Sequence, residues 1–267
     1  MNLQYKIREK INADLAQAGK DEIQQLNDSL RLLSKWRGVL LQNTFLKHHG
    51  SNVLEGPFSG LDILRNSAEG CYVPKLLGCY EQPLWPYIQS AISNQYSSII
   101  NIGCAEGYYA VGMARNMPNT KVFAFDIAEH AQKICREVAV KNGVADRVFV
   151  NSIFQVQDFA KYGNGQTLIF CDIEGQELDL LNPSIAPDLA QMDLIVECHE
   201  DVHPGISKKL SERFMNSHEI TAIYDDGQRY LSDPPQWYKN LSHLDQLLSV
   251  WEWRAGPTPW LVMNSKC

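Results

Sequence analysis

Between residues 98 and 197, short apolar runs alternate with segments of helical periodicity, and this alternation constrains the fold more than any other feature of the chain. The runs occupy residues 98–102, 121–126, 147–150, 167–171 and 193–197. Apolar strands that alternate with helices form parallel sheets covered by helices on both faces. The sequence therefore predicts an α/β fold of the Rossmann-like, doubly wound type with a mostly parallel sheet.

The two ends of the chain extend this prediction. Residues 220–224 and 260–263 form two more apolar runs, on either side of a stretch with helical periodicity, and predict an antiparallel edge that completes a seven-stranded sheet. Residues 3–46 predict two amphipathic helices, and residues 47–82, which include His48 and His49, predict a loop or lid. We therefore expect an N-terminal extension over residues 1–95 and a main domain over residues 96–267.

Composition excludes several classes of protein. A net charge of −7 argues against a surface that neutralises phosphates, so we expect no nucleic-acid partner. We find no apolar run long enough to span a membrane and no N-terminal signal pattern, and we expect a cytoplasmic protein. The seven cysteines show no zinc-type spacing, so we expect reduced thiols and assign no metal site. The N-terminal helices are expected to pack on the main domain or to form a homodimer.

A glycine turn follows the first predicted strand, in the segment Asn101-Ile102-Gly103-Cys104-Ala105-Glu106-Gly107. Glycine allows the backbone to approach a ligand closely at the carboxyl end of a parallel strand, where such sheets bind ligands. Asp126 ends the second strand 23 residues after Gly103, which is where an acidic side chain binds ribose hydroxyls in nucleotide-binding folds. Alternatively, both glycines are purely structural and Asp126 caps the helix after it.

The turn departs from the dinucleotide-binding pattern. In an alignment on Gly103, Ala105 and Tyr108 stand where the second and third glycines of G-x-G-x-x-G should be. A pyrophosphate contact is therefore poorly supported. A sulfonium nucleoside carries no phosphate, and the acidic Glu106 is easier to reconcile with such a cationic ligand.

Three segments together resemble the FkbM-type methyltransferases. They are residues 99–114 (IINIGCAEGYYAVGMA), residues 123–127 (FAFDI), and the motif Asp172-Ile173-Glu174-Gly175-Gln176-Glu177. The resemblance covers about residues 97–200. It implies S-adenosylmethionine as the cofactor and an oxygen of a small polar or carbohydrate-like molecule as the methyl acceptor. The Asn-Pro-Pro-Tyr type of tetrapeptide found in amino-group methylases is absent after the fourth strand.

The resemblance also implies roles for individual residues. Gly103, Cys104, Ala105 and Gly107 would line the methionine portion, Asp126 would hold the ribose, Ile127 would pack on the adenine, Asn151 or Ser152 would lie near the adenine edge, and Asp172 would face the methyl group. Asn101 departs from the family pattern, because an acidic residue usually ends the first strand. Glu106 is then the candidate for supplying the missing charge.

A second polar cluster follows the fourth and fifth strands and consists of Asp172, Glu174, Glu197 and His199. The carboxyl ends of adjacent parallel strands meet at one edge of the sheet, so these groups could face one pocket and remove a proton from an acceptor hydroxyl. Three alternatives remain open. The residues could only stabilise a helix start and loop amides, they could bind a divalent metal in a hydrolase or isomerase, or the fold could be a non-catalytic binding module.

Overall fold

The computed structural model describes residues 3–17, 19–65, 70–162, 166–254, 256 and 258–266. The strands in this part of the chain are β1 (Ser98–Ile102), β2 (Lys121–Phe125), β3 (Val148–Asn151), β4 (Thr167–Cys171), β5 (Asp193–Glu197), β6 (His218–Ile223) and β7 (Trp260–Ser265). The α-helices are α1 (Leu3–Leu15), α2 (Glu22–His49), α3 (Tyr72–Leu77), α4 (Trp85–Asn94), α5 (Tyr108–Asn116), α6 (Glu129–Lys141), α7 (Glu177–Leu180), α8 (Ile206–Phe214), α9 (Gln236–Lys239) and α10 (His243–Val250).

All seven strands belong to one sheet, in the order β3-β2-β1-β4-β5-β7-β6. The pairs from β3 to β5 are parallel, whereas β7 runs antiparallel to both β5 and β6. The sheet is therefore mixed, and the predicted count of seven strands and antiparallel edge are confirmed. The chain leaves β1 toward β3 on one side and continues from β4 toward β5 on the other, so the switch of direction lies between β1 and β4.

Alternate residues of each strand point to opposite faces, and each face has its own apolar core. Ile99 of β1 belongs to a cluster with side chains of α4, α5 and α6. Its neighbour Ile100 belongs to a second cluster with Ile206, Leu210 and Phe214 of α8. Because both faces are covered, the central strands β1, β4 and β5 are mostly apolar, as the sequence indicated.

The first 95 residues contribute to the core on the first of these faces. Phe45 of α2 is fully buried in the same cluster as Ile99. An ion pair between Arg37 and Asp245, with Nε and Oδ1 2.6 Å apart, joins α2 to α10. The N-terminal half of α2 carries an exposed stripe of large apolar side chains made by Ile23, Leu26, Leu30 and Leu33.

The predicted loop over residues 47–82 is partly wrong. His48 and His49 belong to the last turn of α2, and Gly50 with φ at +80° is its C-cap. The imidazole of His48 stacks on Trp237 with ring centroids 5.5 Å apart, and basic side chains are favoured at a helix C-terminus by its dipole. Residues 72–77 form the buried helix α3. In the described part of the chain, we find no helix with the length and apolar character that crossing a membrane requires.

Candidate functional site

A cavity of about 790 Å³ opens at the carboxyl ends of β1 to β4. Its lining comes from the turns that follow these strands and from the start of the next segments. The lining residues are Ile102, Gly103, Phe125, Asp126, Ile127, Ser152, Ile153, Phe154, Gln155, Val156, Gln157, Asp172, Ile173, Glu174, Gln176, Asp179 and Leu180. The volume is within the range of sites for small molecules and cofactors.

Gly103 is required where the turns after β1 and β4 meet. Its φ is +79°, and a Cβ atom at this position would lie 1.6 Å from the carbonyl oxygen of Asp172. No side chain fits in that space, and the left-handed conformation also favours glycine. The glycine that the sequence singled out therefore allows the backbone of β1 to approach Asp172, which lines the cavity.

Asp126 connects two turns at the cavity wall. Its Oδ2 accepts a hydrogen bond from the backbone N–H of Ala105 at 2.9 Å, and its Oδ1 accepts one from the N–H of Ala128 at 2.8 Å. The second bond closes a local turn at Ala128, the residue before α6, but α6 has no side-chain cap, so the capping role considered as an alternative is not fulfilled. The carboxylate also lines the cavity, so this structural role does not remove it from the site.

Two large apolar side chains on the cavity wall are exposed to solvent. Ile127 is 83% exposed and Ile153 is 60% exposed. Ile127 was predicted as an adenine-packing residue, whereas Ile153 and the following residues to Gln157 were not identified from the sequence. The available signal was the apolar Ile153 directly after Asn151 and Ser152 at the end of β3. An apolar surface at the edge of a concave site is suited to a flat ring.

The four residues predicted as a catalytic cluster do come together, around the imidazole of His199. Its Nε2 lies 3.5 Å from Oδ1 of Asp172, 3.5 Å from Oε2 of Glu174 and 3.9 Å from Oε2 of Glu197. Asp172, Glu174 and His199 each offer a ligand atom within 4.8 Å of the others. The imidazole is buried behind the cavity wall, whereas Asp172 and Glu174 line the cavity itself.

Glu177 contacts the other ring nitrogen of His199, Nδ1. Its Oε1 lies 2.9 Å from Nδ1 of His199 and also accepts the backbone N–H of Gly175 at 3.1 Å. The turn over these residues is tight, with φ at +57° for Glu174 and +103° for Gly175. The sequence motif contained Glu177, but sequence reasoning gave it no role.

The electrostatics of His199 and Glu177 follow from this contact. Burial lowers the pKa of His199, but the hydrogen bond to Glu177 and the charges of Glu197, Glu177 and Glu174 together raise it above its ordinary value. Burial raises the pKa of Glu177, but the bond to His199 and bonds from backbone amides lower it overall. Both shifts have the same cause, because the contact between the two side chains favours the charged form of each.

Several predicted residues are not among the cavity-lining residues that the structure describes. They are Asn101, Cys104, Ala105, Glu106, Gly107, Asn151, Glu197 and His199. Glu106 is fully buried and forms an ion pair with Lys75, with Oε1 and Nζ 2.5 Å apart. The buried Asn101 donates from Nδ2 to the carbonyl of Phe170 at 3.4 Å. Neither contact was visible in the sequence, because each partner comes from a distant segment.

Glu197 belongs to a second buried network that adjoins the first. Its Oε1 accepts a hydrogen bond from Arg254, whose Nη2 lies 2.7 Å from Oε1 of Glu81. Glu81 also accepts a hydrogen bond from the hydroxyl of Tyr109. Arg254 was not identified from the sequence. Its guanidinium offsets part of the negative charge that surrounds His199.

Comparisons with known proteins give partial support. No family model matches this chain, so membership of the FkbM-type family stays a prediction. A release factor glutamine methyltransferase from Flavobacterium psychrophilum is 30% identical over 132 residues. The match covers 49% of this chain and 45% of that protein, so the chain spans about half the length of this curated relative.

Solved structures show weaker similarity. An O-methyltransferase from Bacillus cereus, in complex with S-adenosylhomocysteine, is 16% identical with a TM-score of 0.45, over 70% of this chain and 81% of that one. The O-methyltransferase TomG from Streptomyces achromogenes, in complex with S-adenosylmethionine, is 12% identical with a TM-score of 0.47, over 100% of both chains. Neither similarity is strong enough to support a conclusion about activity.

Proposed function

We propose that this protein is an S-adenosylmethionine-dependent methyltransferase that transfers the methyl group to an oxygen of a small polar or glycan-like acceptor. The charge of the cavity carries the proposal. Asp126, Asp172, Glu174 and Asp179 line it, and no lysine, arginine or histidine occurs among the lining residues that the structure describes. Such a surface favours a cationic sulfonium and disfavours a pyrophosphate, whose recognition requires positive groups or helix amides.

The walls of the cavity offer suitable contacts for a nucleoside. A carboxylate has about four lone-pair sites, and the two backbone bonds that Asp126 accepts leave capacity for ribose hydroxyls. The exposed side chains of Ile127 and Ile153 provide apolar surface for adenine. Asp172, beside Gly103, would then lie toward the methionine end, which carries the methyl group.

The chemistry of the transfer requires few groups. The acceptor oxygen forms a bond to the methyl carbon, the carbon–sulfur bond breaks with its electron pair passing to sulfur, and the hydroxyl proton goes to a base. Most of the acceleration comes from holding oxygen, carbon and sulfur in line. The candidate bases are Asp172, Glu174 and the buried imidazole of His199.

The choice of oxygen as acceptor rests on residues 172–177, which resemble the FkbM-type motif. The Flavobacterium relative is named for glutamine methylation, and the tetrapeptide typical of amino-group methylases is absent here. Release of S-adenosylhomocysteine can be measured with matched acceptors that differ only in carrying a hydroxyl or an amine. Turnover with the amine alone would contradict the oxygen assignment.

Calorimetric titration with S-adenosylhomocysteine tests the cofactor site. We expect saturable binding that Ile127→Lys weakens by at least about tenfold, because the variant replaces the apolar surface for adenine with a charge. Val140→Lys is the matched control, since Val140 is an exposed apolar residue of α6 outside the cavity. Equal binding by the two variants, or no binding by the native protein at millimolar ligand, would contradict the proposal.

A further inference from the structure

We propose that Asp172, Glu174 and His199 bind a first-row divalent metal ion, such as Mn²⁺ or Zn²⁺, at the wall of the cavity. The metal site itself is inferred from the positions of these three side chains. Its role in activating the acceptor rests on the proposed methyl transfer.

The distances around Nε2 of His199 fit a shared metal ion better than hydrogen bonds. The oxygens of Asp172 and Glu174 each lie 3.5 Å from Nε2, which is longer than an ordinary N–H···O hydrogen bond. Nitrogen and oxygen ligands bind zinc at about 2.0–2.2 Å, so two ligands of a tetrahedral site stand about 3.4 Å apart. The observed separations therefore leave room for one ion between the three groups.

The imidazole is fixed in the orientation that a metal ligand needs. His199 is buried, and its Nδ1 is held by the fully buried Glu177 at 2.9 Å. In a metal-binding histidine, one ring nitrogen donates to a carboxylate and the other presents its lone pair to the ion. Among the described residues, Nε2 has no hydrogen-bond partner at an ordinary distance, and it lies equally far, at 3.5 Å, from Asp172 and Glu174.

The local charge also favours a cation. The carboxylates of Asp172, Glu174, Glu177 and Glu197 surround the single imidazole within 3.9 Å. Arg254 forms an ion pair with one of these four carboxylates, that of Glu197. A divalent ion bound here would bring positive charge close to these carboxylates.

The remaining coordination positions would face the cavity. Asp172 and Glu174 line it, and the side chain of Glu174 is 84% exposed. Imidazole together with carboxylates suits manganese, zinc or iron better than magnesium or calcium. An acceptor hydroxyl bound to the ion would lose its proton to solvent water more readily, and the resulting alkoxide would attack the methyl carbon while the carbon–sulfur electron pair passes to sulfur.

Titration of chelator-treated protein with MnCl₂ and with ZnCl₂, followed by calorimetry and by the loss of the free Mn²⁺ signal in electron paramagnetic resonance, tests the site. We expect one ion per chain, with an affinity that Glu174→Gln weakens by at least about tenfold. Asp179→Asn is the matched control, because Asp179 lines the same cavity outside the cluster, and we expect it to change the affinity by less than about twofold.

Equal metal affinity in these two variants, or no stoichiometric binding at millimolar metal, would overturn the proposal. S-adenosylhomocysteine binding is measured in parallel in the presence of chelator. Nucleoside binding without metal binding overturns the metal site and leaves the proposed function standing. Metal binding without nucleoside binding supports the site and overturns the proposed function.

Discussion

Oε1 of Glu177 lies 2.9 Å from Nδ1 of His199, and this contact joins the turn after β4 to the turn after β5. Glu177 is fully buried, and the same oxygen accepts the backbone N–H of Gly175. The carboxylate thereby fixes both the shape of one turn and the orientation of the imidazole in the other. The positions of Asp172 and Glu174 relative to His199 depend on it.

We expect Glu177→Gln to lower the pKa of His199 and to reduce the free energy of unfolding by about 1–3 kcal/mol, because the variant removes a buried charge-assisted hydrogen bond. NMR titration of the His199 ring and urea denaturation measure the two effects. Glu212→Gln on the exposed surface of α8 is the control. An unchanged pKa of His199 would show that Glu177 does not set its protonation.

The strands were predictable because most are buried on both faces. β1, β4 and β5 begin and end where the apolar runs of the sequence do. β6 begins earlier than predicted, at His218, a polar residue that is buried because its Nε2 donates to the carbonyl of Met192 at 2.7 Å. A hydrogen bond to a distant segment leaves no periodic pattern.

The site was predictable where a local rule applied. Gly103 and Asp126 could be identified because a turn and a strand end each require a particular residue type. Glu106 was expected to face the cofactor, but it is buried against Lys75, which lies 31 residues earlier. The role of Glu177 likewise depends on the left-handed backbone at Glu174 and on a histidine from another strand. Tertiary contacts of this kind cannot be read from spacing.

Gly103→Ala tests the close approach of the two turns. The new Cβ would overlap the carbonyl of Asp172, so we expect a loss of stability larger than the strain of a positive φ, which costs about 1 kcal/mol. Gly143→Ala is the matched control, since Gly143 has φ at +68° with no atom within 4 Å of the added Cβ. Equal losses of unfolding free energy in the two variants would contradict the steric explanation.

The raised pKa of Glu81 predicts that the stability of the protein depends on pH. Burial raises the pKa of Glu81 to about 8, against an opposing effect of Arg254, and the neighbouring charges of Glu197 and Glu252 add to the rise. The folded state therefore holds this proton more tightly than the unfolded state, whose carboxyl titrates at its ordinary value of 4.5. The contribution of the Glu81 proton to the free energy of unfolding is complete below about pH 4.5 and is lost as the pH rises toward about 8.

Glu81→Gln mimics the protonated carboxyl at every pH. We expect the stability of the native protein relative to this variant to fall between about pH 5 and about pH 8, as measured by urea denaturation. Other groups that titrate in the same range contribute equally to both proteins, so their effect cancels in the difference between the two free energies of unfolding. If this difference in unfolding free energy did not change with pH, Glu81 would be ionised over the whole range.

The exposed stripe of α2 predicts self-association. Ile23, Leu26, Leu30 and Leu33 are 68%, 63%, 65% and 42% exposed, and their spacing of three, four and three residues is the heptad spacing of helices that pair through one seam. No charged residue occupies these four positions, so the same stripe of a second copy can pack against it without like-charge repulsion. We expect a homodimer.

Light scattering after size-exclusion chromatography measures the mass. Leu26→Lys combined with Leu30→Lys should convert the dimer to a monomer, because two charges would be buried in the seam. Leu244→Lys combined with Leu247→Lys is the matched control, since these leucines of α10 are 64% and 67% exposed, close to the exposure of Leu26 and Leu30. A native protein that elutes as a monomer, or a dimer lost only in the α10 variant, would contradict the assignment to α2.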